Sequence, residues 1–208
     1  MRIVAGKYKR RALLTPEGVD ITRPTSDRAR ESLFKILTPR VLDACILDLF
    51  AGSGALGIEA LSRGARRVVF VECHPEALRC LSQNLLALKI PSENYFVARC
   101  KVEEFLDAGF RKSLKGWKEE EFAVSADLVF ADPPYALSWY DRCVRNLEGS
   151  RLCTSDCLLV VEMSSRKPAF VQGTPHWNLV DERIYGAGRL EFWQRSATEL
   201  LDEKNFVS

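Results

Sequence analysis

Residues 45–64 read CILDLFAGSGALGIEALSRG, and few folds accept that order. A short apolar run stops at a cluster of small residues, and a segment of helical period follows at once. Gly52 and Gly54 allow the backbone to turn sharply and to come close to a ligand, while Gly64 closes the helix. Strand, tight turn and helix open a βαβ unit, and the chain goes on alternating. RRVVFVE (66–72) reads as a strand, and PEALRCLSQNLLAL (75–88) as a helix with Pro75 in its first turn. YFVARC (95–100), DLVFA (127–131) and CLLVVEMS (157–164) read as strands, with helices predicted at VEEFLDAGF (102–110) and YDRCVRNLEG (140–149). Strands alternating with helices predict a parallel sheet with right-handed crossovers. WNLVDERIYGAGRLEFWQR (177–195) adds two strands around a glycine-rich turn, an antiparallel hairpin at the end of the sheet. The expected class is α/β, Rossmann-like, with a mostly parallel seven-stranded sheet. Residues 111–126 are charged and lack a period, which predicts a surface loop or a frayed helix.

Ahead of this pattern, RIVAG and RRALLTP flank KYK and predict a small β-hairpin around Gly6. RPTSDRARESLFKIL follows. Its Pro24, Thr25 or Ser26 start a helix, and Ala29, Leu33, Phe34 and Leu37 share one face. Residues 1–24 are therefore read as a basic extension, and residues 25–208 as the main domain. Residues 1–30 hold eight Lys and Arg against three acids, although the whole chain carries only +2. That asymmetry points to a polyanionic partner met by the N-terminal end, or else to a solvated basic surface.

Seven cysteines, an odd number and several within apolar segments, indicate free thiols in a reducing cytoplasm. Cys153 and Cys157 have no second pair at ligand spacing, and with two histidines in the chain no metal is expected. The N-terminus lacks the apolar core of a signal peptide, and no run approaches the ~18 residues of a spanning helix. A cytoplasmic protein without membrane contact is expected.

The glycine loop has several readings. Gly52-Ser53-Gly54 with Gly57 formally satisfies GxGxxG, so a dinucleotide remains possible, as does a plain tight turn. A P-loop is excluded because no Gly-Lys-Ser/Thr follows. Asp48, in the strand before the loop, would repel a pyrophosphate but favours a ligand with a positive amino or sulfonium group. Glu72 closes the second strand, where an acid can accept from both ribose hydroxyls. S-adenosylmethionine carries all three features. Lys101 stands where proteins that bind this cofactor often place an acid or amide. The Val102 backbone N–H and apolar packing are left to hold the adenine.

A second motif, ADPPY (131–135), ends the fourth strand, which is expected to lie beside the first. Two prolines stiffen the exit and remove N–H donors, so that the Asp132 carboxylate and the Pro133 carbonyl remain as acceptors. Two acceptors facing an exocyclic amine stabilise the charge that develops when the nitrogen attacks a methyl group. Tyr135 can stack on the base. Alone, the motif also fits a proline-rich strand exit with a surface tyrosine.

MRIVAGKYKRRAL, RPTSDRARESLF, LDLFAGSGALGIEALSRGA, DLVFADPPY, VVFVE and YGAGRLEFW together resemble the RsmD family of bacterial 16S ribosomal RNA guanine-N2 methyltransferases, over nearly the whole chain. The resemblance implies a class I S-adenosylmethionine-dependent fold and methylation of a guanine 2-amino group. Its implied substrate is the small ribosomal subunit or an assembly intermediate. On this footing Asp48, Gly52, Ser53, Gly54, Glu72 and Val102 hold the cofactor, and Asp132, Pro133 and Tyr135 hold the base. Lys7, Lys9, Arg10, Arg11, Arg23, Arg28 and Arg30 contact RNA, and the enzyme acts as a monomer. Two other readings stay open on the residues alone: an amino-methyltransferase of DNA adenine, and an RNA-binding module on an inactive methyltransferase fold.

Overall fold

The computed structural model describes residues 1–16, 27–107, 111, 115–116, 125–132, 144–148, 152–165, 176–186 and 188–196. The described residues form one seven-stranded sheet in the order β3-β2-β1-β4-β5-β7-β6. Its strands are β1 (Cys45–Leu49), β2 (Arg67–Glu72), β3 (Tyr95–Arg99), β4 (Ala126–Ala131), β5 (Cys153–Ser164), β6 (Trp177–Tyr185) and β7 (Gly188–Arg195). The first five pair in parallel, and β7 runs antiparallel between β5 and β6. This is the doubly wound sheet expected, and β1 and β4 are neighbours at the point where the strand order reverses.

Alternate residues of each strand enter two apolar layers. Ile46, Val68, Phe70, Leu128, Phe130, Leu158 and Val160 face α1 (Asp27–Val41), α2 (Ala55–Ser62) and α3 (Pro75–Ala87). Leu47, Leu49, Val69, Val71, Val129, Leu159 and Val161 face α4 (Val102–Leu106) and a short helix at 144–148. In α1, Leu33, Phe34 and Leu37 are buried as their spacing predicts, and the Phe34 ring lies 5.9 Å from that of Phe130. The helix continues past Leu37 through Pro39 to a buried Val41. Thr38 Oγ1 donates to the Phe34 carbonyl at 2.7 Å in this turn.

β5 also begins four residues earlier than its apolar run suggests. Cys153 pairs with Ala126, and a bulge separates that pair from Leu128–Leu158. The polar TSD in between occupies the irregular stretch, where Thr154 Oγ1 donates to the Ala126 carbonyl. Most of 111–126 lies outside the described residues. Arg111 is buried and donates to the carbonyls of Phe105 and Leu106 at the end of α4.

The N-terminal hairpin is reduced to one antiparallel bridge, Arg2–Ala12, flanked by backbone bonds between Ile3 and both Arg10 and Arg11. It packs closely on the domain. Ile3 and Leu13 are buried in the layer of α1 and α2. The fully buried Glu59 accepts from the N–H groups of Val4 and Ala5 at 2.7 and 3.0 Å, and from Arg63 Nε at 2.8 Å. Gly6 has φ +79°, and a Cβ there would stand 1.8 Å from the Ser62 carbonyl oxygen, so only glycine fits the tip.

Glu59→Ala is expected to destabilise the protein by about 2–4 kcal/mol in urea unfolding, because two backbone donors lose their acceptor in a buried place. Glu59→Gln, which keeps one acceptor, is expected to lose less. Equal stability of wild type and Glu59→Ala would show that this contact does not hold the hairpin.

Candidate active site

The glycine loop leaves β1 through two left-handed residues, Phe50 (φ +61°) and Gly52 (φ +56°), and Gly54 (φ +83°) then caps α2. A positive φ is a costly conformation for a side chain as bulky as phenylalanine, and such residues concentrate at functional turns. The three glycines do different work. A Cβ on Gly54 would strike Leu81 Cδ1 at 2.4 Å, and one on Gly57 would strike Phe70 Cε1 at 2.3 Å. Both let α2 pack tightly. Nothing lies within 4 Å of the Cβ position of Gly52, so its backbone borders open space.

Asp48 lies in β1 beneath this loop, 2% exposed, and its Oδ2 accepts from the Gly57 N–H at 3.0 Å. Burial pushes its carboxyl up to about 7, against the pull of the Gly57 bond and with help from the charge of Glu72. Glu72 ends β2 and accepts three backbone N–H groups: Gly52 at 2.8 Å, Cys73 at 2.8 Å and His74 at 2.7 Å. A carboxylate offers about four lone-pair positions, so this arrangement leaves room for one further donor rather than two. Sequence reading found the acid but not its second task, which is to pin the glycine loop. Ser53 is buried, and its carbonyl accepts from Nδ2 of the buried Asn84, which also bonds both backbone groups of Leu14. Asn84 thus ties the loop to the N-terminal segment. Nothing in its helical setting, NLLAL, signals that.

At the third strand, Lys101 is exposed and caps α4. The Val102 side chain is buried, and its N–H belongs to the first turn of that helix, where backbone donors lack intrahelical acceptors. The start of α4 thus offers a backbone donor beside the lysine.

Asp132 follows β4 directly, half-buried at the mouth of the sheet. Its carboxyl is held well above the ordinary carboxylate range by burial first, then by the charges of Glu162 and Asp48. The structure thus gathers Asp48, Glu72 and Asp132 at one end of the sheet and adds Glu162, which the motifs did not single out. Pro133 and Tyr135 lie outside the described residues.

The basic residues divide. Lys7, Lys9, Arg10 and Arg11 are exposed on the hairpin, whose tip meets Ser62 at the far end of α2 from the glycine loop. Arg11 also donates to the Ala87 carbonyl. Arg30 differs from the expectation. It is 1% exposed, and its Nη2 donates to the Arg2 carbonyl at 2.6 Å, so it braces the hairpin from inside instead of facing a nucleic acid. Helical period places it on the buried side of α1, one residue after Ala29, a feature hidden by its charge. Arg23 and the Arg28 side chain lie outside the described residues.

Residues 1–194 match the family model described as Conserved hypothetical protein 95. Ribosomal RNA small subunit methyltransferase D of Haemophilus influenzae is 34% identical over 197 residues, covering 93% of each chain. The chain belongs to the RsmD family. The solved Escherichia coli protein yhhF is 33% identical with a TM-score of 0.79 over 95% of this chain and 99% of its own. At the level of fold alone, SMU.776, solved in complex with SAH, superposes with a TM-score of 0.61 at 14% identity over 90% of this chain and 52% of that one. The seven-stranded sheet with its terminal antiparallel hairpin is the class I methyltransferase fold. Among the described residues no cluster of three or more His, Cys, Asp or Glu has the arrangement of a metal site, and no helix is long and apolar enough to cross a membrane.

The shifted carboxyl of Asp48 has consequences of known sign. Its pKa in the fold lies above the ordinary 3.8. Its contribution to the ligand-free fold is therefore complete below about pH 4 and lost as pH climbs through about 7. Binding a cation beside it releases the proton. The affinity for S-adenosylmethionine is expected to tighten between pH 6 and pH 8, by at most about tenfold per unit, and Asp48→Asn is expected to flatten that dependence. Calorimetry showing equal slopes for both proteins would remove Asp48 from the cofactor site.

Proposed function

We propose that this protein transfers a methyl group from S-adenosylmethionine to the exocyclic N2 amine of one guanine in 16S ribosomal RNA, within the small subunit or an assembly intermediate. The observation that carries the reading is the placement of Asp132. It stands one residue beyond Ala131, which pairs with Leu49 of β1, and so opens beside the strand that holds Asp48. A cofactor seated on Asp48 and Gly52 and a base seated on Asp132 are then neighbours, which is the proximity a direct transfer needs.

The open side of Gly52, the buried acid beneath the loop and the Glu72 rim suit the cofactor. In the proposal, Asp48, Gly52, Ser53, Gly54, Glu72 and the Val102 N–H hold it. Bound there, it supplies an electrophilic methyl group on a sulfonium. The protein's part is positional and electrostatic. Asp132 and the Pro133 carbonyl accept from the two N–H groups of the guanine amine, and Tyr135 stacks on the ring. As the amine nitrogen attacks, it becomes positive and its protons acidic. The raised carboxyl of Asp132 holds a proton more readily than an ordinary carboxylate, which suits it to receive that one. Sequence reasoning asked only for a hydrogen-bond acceptor at this place.

The exposed Lys7, Lys9, Arg10 and Arg11 supply phosphate contacts at a distance. α2 has 8 residues, so its two ends lie roughly 12 Å apart. An RNA touching both pocket and hairpin tip spans at least the length of α2. Phosphate contacts there orient the substrate without choosing the base. The reading includes action as a cytoplasmic monomer without a metal ion.

The direct test is mass spectrometry of small-subunit ribosomal RNA from cells lacking the gene: one N2-methylguanine is expected to vanish, and an intact modification set would refute the assignment. In the purified enzyme, Asp132→Ala is expected to cut kcat by about 10²–10⁴-fold while cofactor affinity at pH 8 stays within about twofold. Parallel loss of both would place Asp132 in cofactor binding instead. Replacing Lys7, Lys9, Arg10 and Arg11 by serine is expected to weaken RNA binding and to lower its salt slope by up to about 4. An unchanged slope would return them to an ordinary solvated surface.

A further inference from the structure

Glu162 is the acid at the mouth of the sheet that neither the glycine loop nor the DPPY motif explains. Register fixes its position. β4 and β5 run parallel with Ala131 opposite Val161, so Asp132 and Glu162 are the next residues out on adjacent strands. Such strands lie about 4.8 Å apart. Their side chains also share a face. Leu128 and Phe130, then Leu158 and Val160, enter the layer of α1, and the two-residue period carries Asp132 and Glu162 to the same side. The upward shift of Asp132, caused in part by the charge of Glu162, agrees with their closeness.

Gly188 supplies an independent observation. It opens β7, pairs with Ser164 and Tyr185, and its φ lies outside the left-handed region, so the backbone there does not require glycine. A Cβ on Gly188 would stand 3.6 Å from the Tyr185 carbonyl oxygen and 3.8 Å from Glu162 Oε1. Gly188 therefore lies directly beside the Glu162 carboxylate, at the start of β7. Ser32 Oγ of α1 and Tyr185 Oη meet at 2.8 Å, which ties the end of β6 to α1.

Resting on the reading of guanine N2 as the acceptor, we infer that Glu162 accepts the guanine N1–H beside the amine held by Asp132, and that this pair of acceptors selects guanine over adenine. The edge of guanine presents N1–H and the N2 amine side by side, two donors in a row. Adenine presents its amine next to the N1 lone pair. Two carboxylates in register match the first edge, whereas the second sets a lone pair against an anion. A site built to bond a donor discriminates strongly against a base that lacks it. Glu162 thereby supplies the specificity that the DPPY motif, which offers acceptors only for the amine, does not supply.

The test uses small-subunit ribosomal RNA assembled by ligation, with guanine or 2-aminopurine at the position whose methylation disappears in the gene-deletion experiment. 2-Aminopurine keeps the N2 amine but bears a lone pair at N1. The wild-type enzyme is expected to prefer guanine by about tenfold or more in kcat/KM. Glu162→Gln, whose amide donates to that lone pair, is expected to lose guanine activity and to shrink the preference about tenfold, with unchanged cofactor affinity. A wild-type enzyme indifferent to the two bases overturns the inference without reference to any variant. So does a folded Glu162→Gln enzyme that keeps the wild-type ratio. Failure of the wild type to methylate guanine in any small-subunit RNA would instead defeat the proposed function, and this inference with it.

Discussion

A carboxylate buried near the centre of a parallel sheet is the constraint from which the rest of this structure follows. Asp48 loses most of its hydration in β1 and regains one hydrogen bond, from Gly57. That bond requires the first turn of α2 to lie directly over the strand end. The close approach in turn requires glycine at 57, against Phe70, and at 54, against Leu81. The turn that feeds this helix accepts a left-handed Phe50, an unfavourable state that surrounding contacts must hold. Replacing Asp48 by an apolar residue would ease the burial and also remove the reason for this geometry. The acid is expensive for folding, and its retention is understandable as part of a ligand site.

Glu72 complements it from the neighbouring strand. By gathering the N–H groups of Gly52, Cys73 and His74, it joins the exits of β1 and β2 into one rim. Asn84 performs the matching task on the other side, linking Ser53 to Leu14, and Glu59 fastens Val4 and Ala5 to α2. The N-terminal segment is therefore coupled to the glycine loop through buried polar side chains. The exposed basic hairpin and the glycine loop thus move as parts of one connected unit.

How much of this was legible before the structure depended on whether the signal was local. The glycine loop, the acid at the end of β2, the terminal hairpin and the apolar face of α1 are each written in contiguous residues, and each forms as expected. The start of β5 at Cys153 was hidden because TSD breaks the apolar run, while the pairing that extends the strand comes from β4. Arg30 was misread because charge suggests exposure, whereas its helical phase and the Arg2 carbonyl put it inside. Glu59, Asn84 and Glu162 were missed for a common reason. The contacts of Glu59 and Asn84 reach partners up to 70 positions away, and the place of Glu162 follows from strand register, and neither distance nor register has a mark in the local pattern.

Four acids, Asp48, Glu72, Asp132 and Glu162, converge on one end of the sheet without a basic residue in either motif. Burial first, and neighbouring negative charge second, raise the carboxyls of Asp48 and Asp132 above the ordinary carboxylate range. So dense a group of acids, two of them raised by burial, is costly to fold and suits a cationic ligand far better than an anionic one.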